Sequence, residues 1–149
     1  MKILVLGLGN PILSDDGIGF VLVDKLQKII DNKNIIFEKI SIAGMEILEM
    51  MFDYDKVILL DSIQLGDEPG KIHRLTEDDI HLTQHSSTHD LDFKTVLDLG
   101  KKYYPERMPK QLLIYGIEAK DVVTFSESLT PEVEEKIPEI IEIIKKDLE

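Results

Sequence analysis

Lys56–Leu60 reads KVILL, a short and almost wholly apolar run that ends at an acid, Asp61. A run of four to eight such residues has the length of a strand, and with no polar side to offer solvent it has to be covered on both faces. It is therefore expected to be a central strand of a sheet with helices above and below. The rest of the chain fits that demand. Lys2–Leu6 is a similar buried-type strand, expected to end at Gly7 and Gly9, and Asn34–Ser41 and Gln111–Tyr115 read as further strands, the last closed by Gly116. Between them, Ile18, Val21, Leu22, Leu26, Ile29 and Ile30 recur at helical spacing from about Asp16 to Ile30. Met45–Phe52 and Leu91 to about Tyr103 give two more helices. Thr130-Pro131 opens a last one, with threonine as cap, proline at the first helical position and a break or restart at Pro138. Lys71–Leu75 follows a turn that can make it antiparallel. Thr76–Thr88 is polar and aperiodic, a long loop with at most one helical turn.

Strands alternating with helices predict an α/β fold: a three-layer α/β/α sandwich with a mostly parallel, twisted sheet of about five strands. At 149 residues, with no repeat, linker or low-complexity segment, the chain is expected to be a single domain over residues 1–149.

Composition removes several classes of function. There is no cysteine, hence no disulfide framework, thiolate zinc site or cysteine nucleophile. A formal charge of −12 opposes a nucleic-acid partner, whose phosphates need clustered Lys and Arg. No apolar run approaches the roughly 18–20 residues that span a bilayer, and Ile3–Leu6 is too short for a signal peptide. A cytoplasmic protein without a membrane partner is expected. No long apolar edge calls for an obligate dimer, so a monomer is the default.

If the first strand is central and the order begins 2-1-3, the loops after strands one and three diverge and leave a crevice at the carboxyl edge, the usual ligand position. Asp16 follows strand one and Asp61 follows strand three, so the two carboxylates should face each other there. His89 lies in the loop before the third helix, on the same edge. Each has a plainer reading: Asp16, with Asp15, as a charge favoured at a helix N-terminus, Asp61 as a turn residue, His89 as an exposed loop histidine. His81 and His85 are four apart, but their segment lacks a helical pattern, and His73 in its strand reads as structural or exposed. Two like charges in a narrow cleft repel, and a divalent cation relieves the strain. Carboxylates with imidazole suit a borderline ion such as Ni²⁺ or Zn²⁺ and leave positions for water and substrate. No Ser-His-Asp set is recognisable by spacing. Gly7 and Gly9 lack the third glycine of a dinucleotide fingerprint, because Ile12 stands in its place. They are expected to permit a sharp turn and close backbone approach.

GLGNPILSDDGIG (Gly7–Gly19), AGMEIL (Ala43–Leu48), Asp61 after KVILL, STHDL (Ser87–Leu91) and SLTPEVEEKIPEI (Ser128–Ile140) together resemble the hydrogenase maturation endopeptidases. The likeness runs over nearly the whole chain. It implies an enzyme that removes a short C-terminal extension from the large-subunit precursor of a nickel–iron hydrogenase after nickel insertion. It also implies that the family's three metal-contacting positions fall on Asp16, Asp61 and His89, with the Ni²⁺ supplied by the substrate. Some relatives carry Glu at the first position, where Asp16 is one methylene shorter. Two rival readings are a nickel-binding chaperone that recognises the precursor without cutting it, and a peptidyl-tRNA hydrolase, whose opening resembles LGLGNP here. The second lacks its histidine-bearing segment, since Ser14–Gly19 reads SDDGIG.

Overall fold

The computed structural model describes residues 1–41, 45–82 and 93–149. A five-stranded sheet runs in the order β2-β1-β3-β5-β4. Its strands are β1 (Ile3–Leu8), β2 (Ile35–Ile40), β3 (Lys56–Ile63), β4 (Ile72–Leu75) and β5 (Gln111–Glu118). Four are parallel, and β4 alone runs antiparallel, against β5. The expected 2-1-3 beginning is present, as is the reversal of the Lys71–Leu75 segment.

Because alternate residues of β1 and β3 are apolar on both sides, two cores form, one on each face. On one face α1 (Ile18–Ile29) and α5 (Ile137–Lys146) pack through Ile18, Leu22, Val23, Leu26, Ile140 and Ile144 on Val5, Ile58 and Leu60. On the other, α2 (Met45–Met51) and α3 (Phe93–Tyr103) bring Ile47, Leu48, Met51, Val96 and Leu97 onto Leu4, Leu6, Val57 and Leu59. Fully burying a side chain of this size contributes about 1.5–3 kcal/mol, so the two layers hold the sheet from both sides.

Several boundaries differ from the sequence reading, each for a physical reason. β1 continues through Gly7 to Leu8, because a Cβ at Gly7 would lie 2.5 Å from the carbonyl oxygen of Gly19. The glycine therefore serves helix-on-strand approach rather than termination. β5 likewise passes through Gly116, over which Ile63 packs, with its side-chain carbons 2.8 Å from where a Cβ would stand. The segment before α1 is a separate 3-10 turn, Ser14–Gly17. Ile29 is exposed and Val23 takes a place in the buried stripe. The last helix is two: α4 (Pro131–Glu134), then α5, with Pro138 at the opening of α5 as a restart. Thr130 stands at the N-cap of α4, but its hydroxyl makes no capping bond and turns to Asp15 instead. The Thr76–Thr88 stretch contains a 3-10 turn at Glu77–Leu82, and its residues 83–88 lie outside the described residues.

Candidate active site at the carboxyl edge of the sheet

The crevice forms where β1 leaves the sheet. Pairing of β1 with β3 stops at Gly7↔Leu60, whereas β5 stays paired with β3 through Asp61↔Gly116, Ser62↔Ile117 and Ile63↔Glu118. Asp61 is thus inside β3 rather than after it, held in extended conformation by one neighbour and released by the other. It is fully buried, and its Oδ1 accepts a 2.8 Å hydrogen bond from the N–H of Ser62.

Asp16 reaches the same point from the other side. After β1 the chain turns at Gly9, whose φ of +146° is open to glycine and whose Cβ position is 2.1 Å from the carbonyl oxygen of Asp16. This fold-back lets the N–H of Asn10 donate to Asp16 Oδ2 at 3.1 Å. The other oxygen, Oδ1, accepts from Ser62 Oγ at 2.6 Å, and Asp16 is 5% exposed. Ser62 therefore binds both acids, one through its hydroxyl and one through its backbone. A site-lining role for Ser62 was not drawn from the sequence, though its place directly after Asp61 was visible. His89 lies outside the described residues, as does His85, and of His81 only its backbone place in Glu77–Leu82 is described.

Asp15 has a different task from its neighbour. It is fully buried and accepts from the N–H groups of Lys120 (2.9 Å), Asp121 (3.1 Å) and Thr130 (2.8 Å) and from the Thr130 hydroxyl. Backbone bonds Ser14 N to Ser126 O and Ser126 N to Ile12 O run alongside. A carboxylate that accepts this many donors organises two loops, rather than merely favouring a helix dipole. It fixes the turn on which Asp16 rides.

A second group of donors lies on the sheet's far edge. Asp67, His73 and Glu118 have ligand atoms all within 4.8 Å of one another. The sequence alone leaves His73 as either structural or exposed, and the structure favours the first. In the structure its side chain is mostly buried between two carboxylates.

Residues 21–147 match the family model described as hydrogenase maturation protease. The chain is 31% identical over 150 residues to the hydrogenase 2 maturation protease of Escherichia coli, covering 95% of this chain and 87% of that protein. It is 28% identical to the hydrogenase expression/formation protein HupD of Thiocapsa roseopersicina, over 95% of this chain but only 65% of that longer protein. Among solved structures, the hydrogenase maturating endopeptidase HybD from E. coli superposes with a TM-score of 0.85 at 32% identity, covering 99% of this chain and 92% of that one. Matched by that family model over most of its length, and 31% identical to a relative that it nearly spans, the chain belongs to the hydrogenase maturation protease family.

Proposed function

We propose that the protein is an endopeptidase that removes the C-terminal extension of a nickel–iron hydrogenase large-subunit precursor after nickel insertion. In this reading Asp16, Asp61 and His89 recognise the nickel that the precursor carries. The observation that carries it is the meeting of the Asp16 and Asp61 carboxylates on Ser62, at the switch point of a parallel sheet. Two carboxylates held on one buried serine repel each other, and a divalent ion brought by the substrate relieves that repulsion as it docks. The ion then acts as the address by which a loaded precursor is distinguished from an empty one. Holding it beside the scissile bond places that bond for hydrolysis, a positioning effect worth several kcal/mol.

The surroundings suit a polypeptide. The loops after β1, β3 and β5 share the carboxyl edge, and they expose Ile12, Leu65, Val123 and Phe125. Exposed apolar side chains rimming a polar cleft mark a protein-binding surface.

The test is incubation with a large-subunit precursor, with and without nickel, followed by intact-mass measurement. Loss of the C-terminal peptide only from the nickel-loaded precursor is expected, and binding without mass change would identify a chaperone instead. Cleavage by Asp61→Ala at the wild-type rate would refute the assignment of the acids. Because His89 has to be neutral to ligate, nickel affinity should fall as the solution is acidified through the ordinary histidine range, about pH 6.5. A flat nickel titration from pH 8 to about 5 would contradict that role for His89.

A further inference from the structure

We infer that Asp67, His73 and Glu118 form a second divalent-cation site, separate from the Asp16–Asp61 crevice, which fastens the loop between β3 and β4 to the edge of the sheet. The donors are brought together by strand pairing. His73 in β4 is opposite Gly116 in β5, and Glu118 lies two residues further along β5, on the same face. Gly116 has no side chain, so imidazole and carboxylate approach each other diagonally across it. Asp67 comes from the loop above, which turns through Gly66 and Gly70, both at positive φ. Leu65 in that loop donates its N–H to both oxygens of Glu118, at 3.1 and 3.0 Å, and so orients this buried carboxylate.

The spacing of the donor atoms is the central observation. His73 Nε2 is 3.4 Å from Asp67 Oδ2 and 3.8 Å from Glu118 Oε1, and it is buried without a hydrogen-bond partner. A shared proton would draw such a pair to about 2.7–2.9 Å. Ligands around one tetrahedral ion, bonded at about 2.0–2.1 Å, stand about 3.3–3.4 Å apart. The His73–Asp67 pair stands at that spacing, and with Glu118 within 4.8 Å of both, a small inward shift would let all three reach one ion. Two carboxylate oxygens and an imidazole nitrogen suit a borderline first-row ion such as Zn²⁺. Asp67 is the most exposed of the three, which gives an ion its way in. Lys71 Nζ sits 3.6 Å from Asp67 Oδ1 and leaves Oδ2, which is 3.4 Å from His73 Nε2, to the ion.

The two sites are about 10 Å apart, two strand spacings across the row Asp61–Gly116–His73. They can be emptied independently, and the second does not depend on the proposed proteolysis. The experiment is calorimetric titration of the full chain with Zn²⁺ alone, together with thermal melts, on wild type, Asp61→Asn, Asp67→Asn and His73→Gln. One equivalent that persists in Asp61→Asn, but weakens at least about a hundredfold in Asp67→Asn and His73→Gln, is expected. The zinc-induced rise in Tm should disappear with it. Asp67 is an exposed loop residue, so its variant should fold even if His73→Gln does not. Zinc binding and stabilisation unaltered in Asp67→Asn, or binding lost entirely in Asp61→Asn alone, would overturn the inference whatever the outcome of the precursor assay.

Discussion

Ser62 Oγ donates a 2.6 Å hydrogen bond to Asp16 Oδ1 while the Ser62 N–H is held at 2.8 Å by Asp61 Oδ1. One residue thereby sets the separation of the two acids. Ser62→Ala keeps the backbone bond and deletes the other, a hydrogen bond to a carboxylate worth roughly 1.5–3 kcal/mol. Urea unfolding should show a loss of that order. Cleavage of nickel-loaded precursor should drop by about tenfold to a hundredfold, as small misplacements of reacting groups do. A variant as active and as stable as wild type would mean that Ser62 has no hold on Asp16.

Asp15→Ala leaves the N–H groups of Lys120, Asp121 and Thr130 facing a space without an acceptor. A buried group left unsatisfied costs about 1–3 kcal/mol, so the unfolding free energy from urea titration should fall by several kcal/mol in sum. Asp15→Asn retains one accepting oxygen and should fall between. A loss below about 1 kcal/mol for the alanine variant would show that water replaces the carboxylate without penalty.

Gly19 lies where α1 presses on the sheet. A Cβ there would be 2.5 Å from the carbonyl oxygens of both Leu8 and Leu60. Backbone on two sides cannot yield as a side chain can, so Gly19→Ala should destabilise by at least about 1–3 kcal/mol, despite alanine's better helix propensity. Thermal melting that is unchanged or raised would contradict this packing.

Tyr115 makes stability depend on pH in the alkaline range. Burial, and then the hydrogen bond and charge of Asp147, push its phenol up to about 12. The unfolded chain's tyrosine ionises near pH 10. Between these values the unfolded state has released a proton that the folded state keeps, so stability decreases as pH rises. The contribution is complete below about pH 10 and is gone above about pH 12. Tyr115→Phe should flatten this part of the pH–stability curve, and equal slopes for the two proteins would count against the Tyr115–Asp147 bond.

Phe125 is 81% exposed, so its removal forfeits no core. If the apolar rim docks the precursor, Phe125→Ala should raise KM for precursor by about fivefold or more, the scale of a modest interface residue, with Tm unchanged. An unaltered KM would place the docking surface elsewhere.

The layers, the 2-1-3 beginning of the sheet and the antiparallel β4 were legible because hydrophobic periodicity, crossover rules and turn residues carry them, whereas the β3-β5-β4 half of the order was not read. Asp16 and Asp61 could be placed at one edge because parallel topology sends the carboxyl ends of β1 and β3 there, although Asp61 lies within β3 and not in the loop after it. What escaped the sequence depends on contacts between distant segments. Gly7 and Gly116 read as strand ends, since a glycine that ends a strand and one that admits a neighbouring backbone or side chain look alike in one dimension. Thr130 holds the expected cap position, but its hydroxyl meets Asp15, more than a hundred residues away, instead of capping the helix. Asp67, His73 and Glu118 have no recognisable spacing. Only the β4–β5 register makes them neighbours, and the available hint was a histidine in a strand whose partner carries Gly116 and then Glu118.

The Asp15 clamp has a consequence for anyone recombining members of this family. The turn that carries Asp16 and the segment from Lys120 to Thr130 are laced together by one carboxylate and by the Leu13↔Ser126 bridge. They behave as a single part of the structure. A chimera that imports either segment from a relative without the other would separate the donors from their acceptor, and would spoil the cleft without altering any residue that lines it.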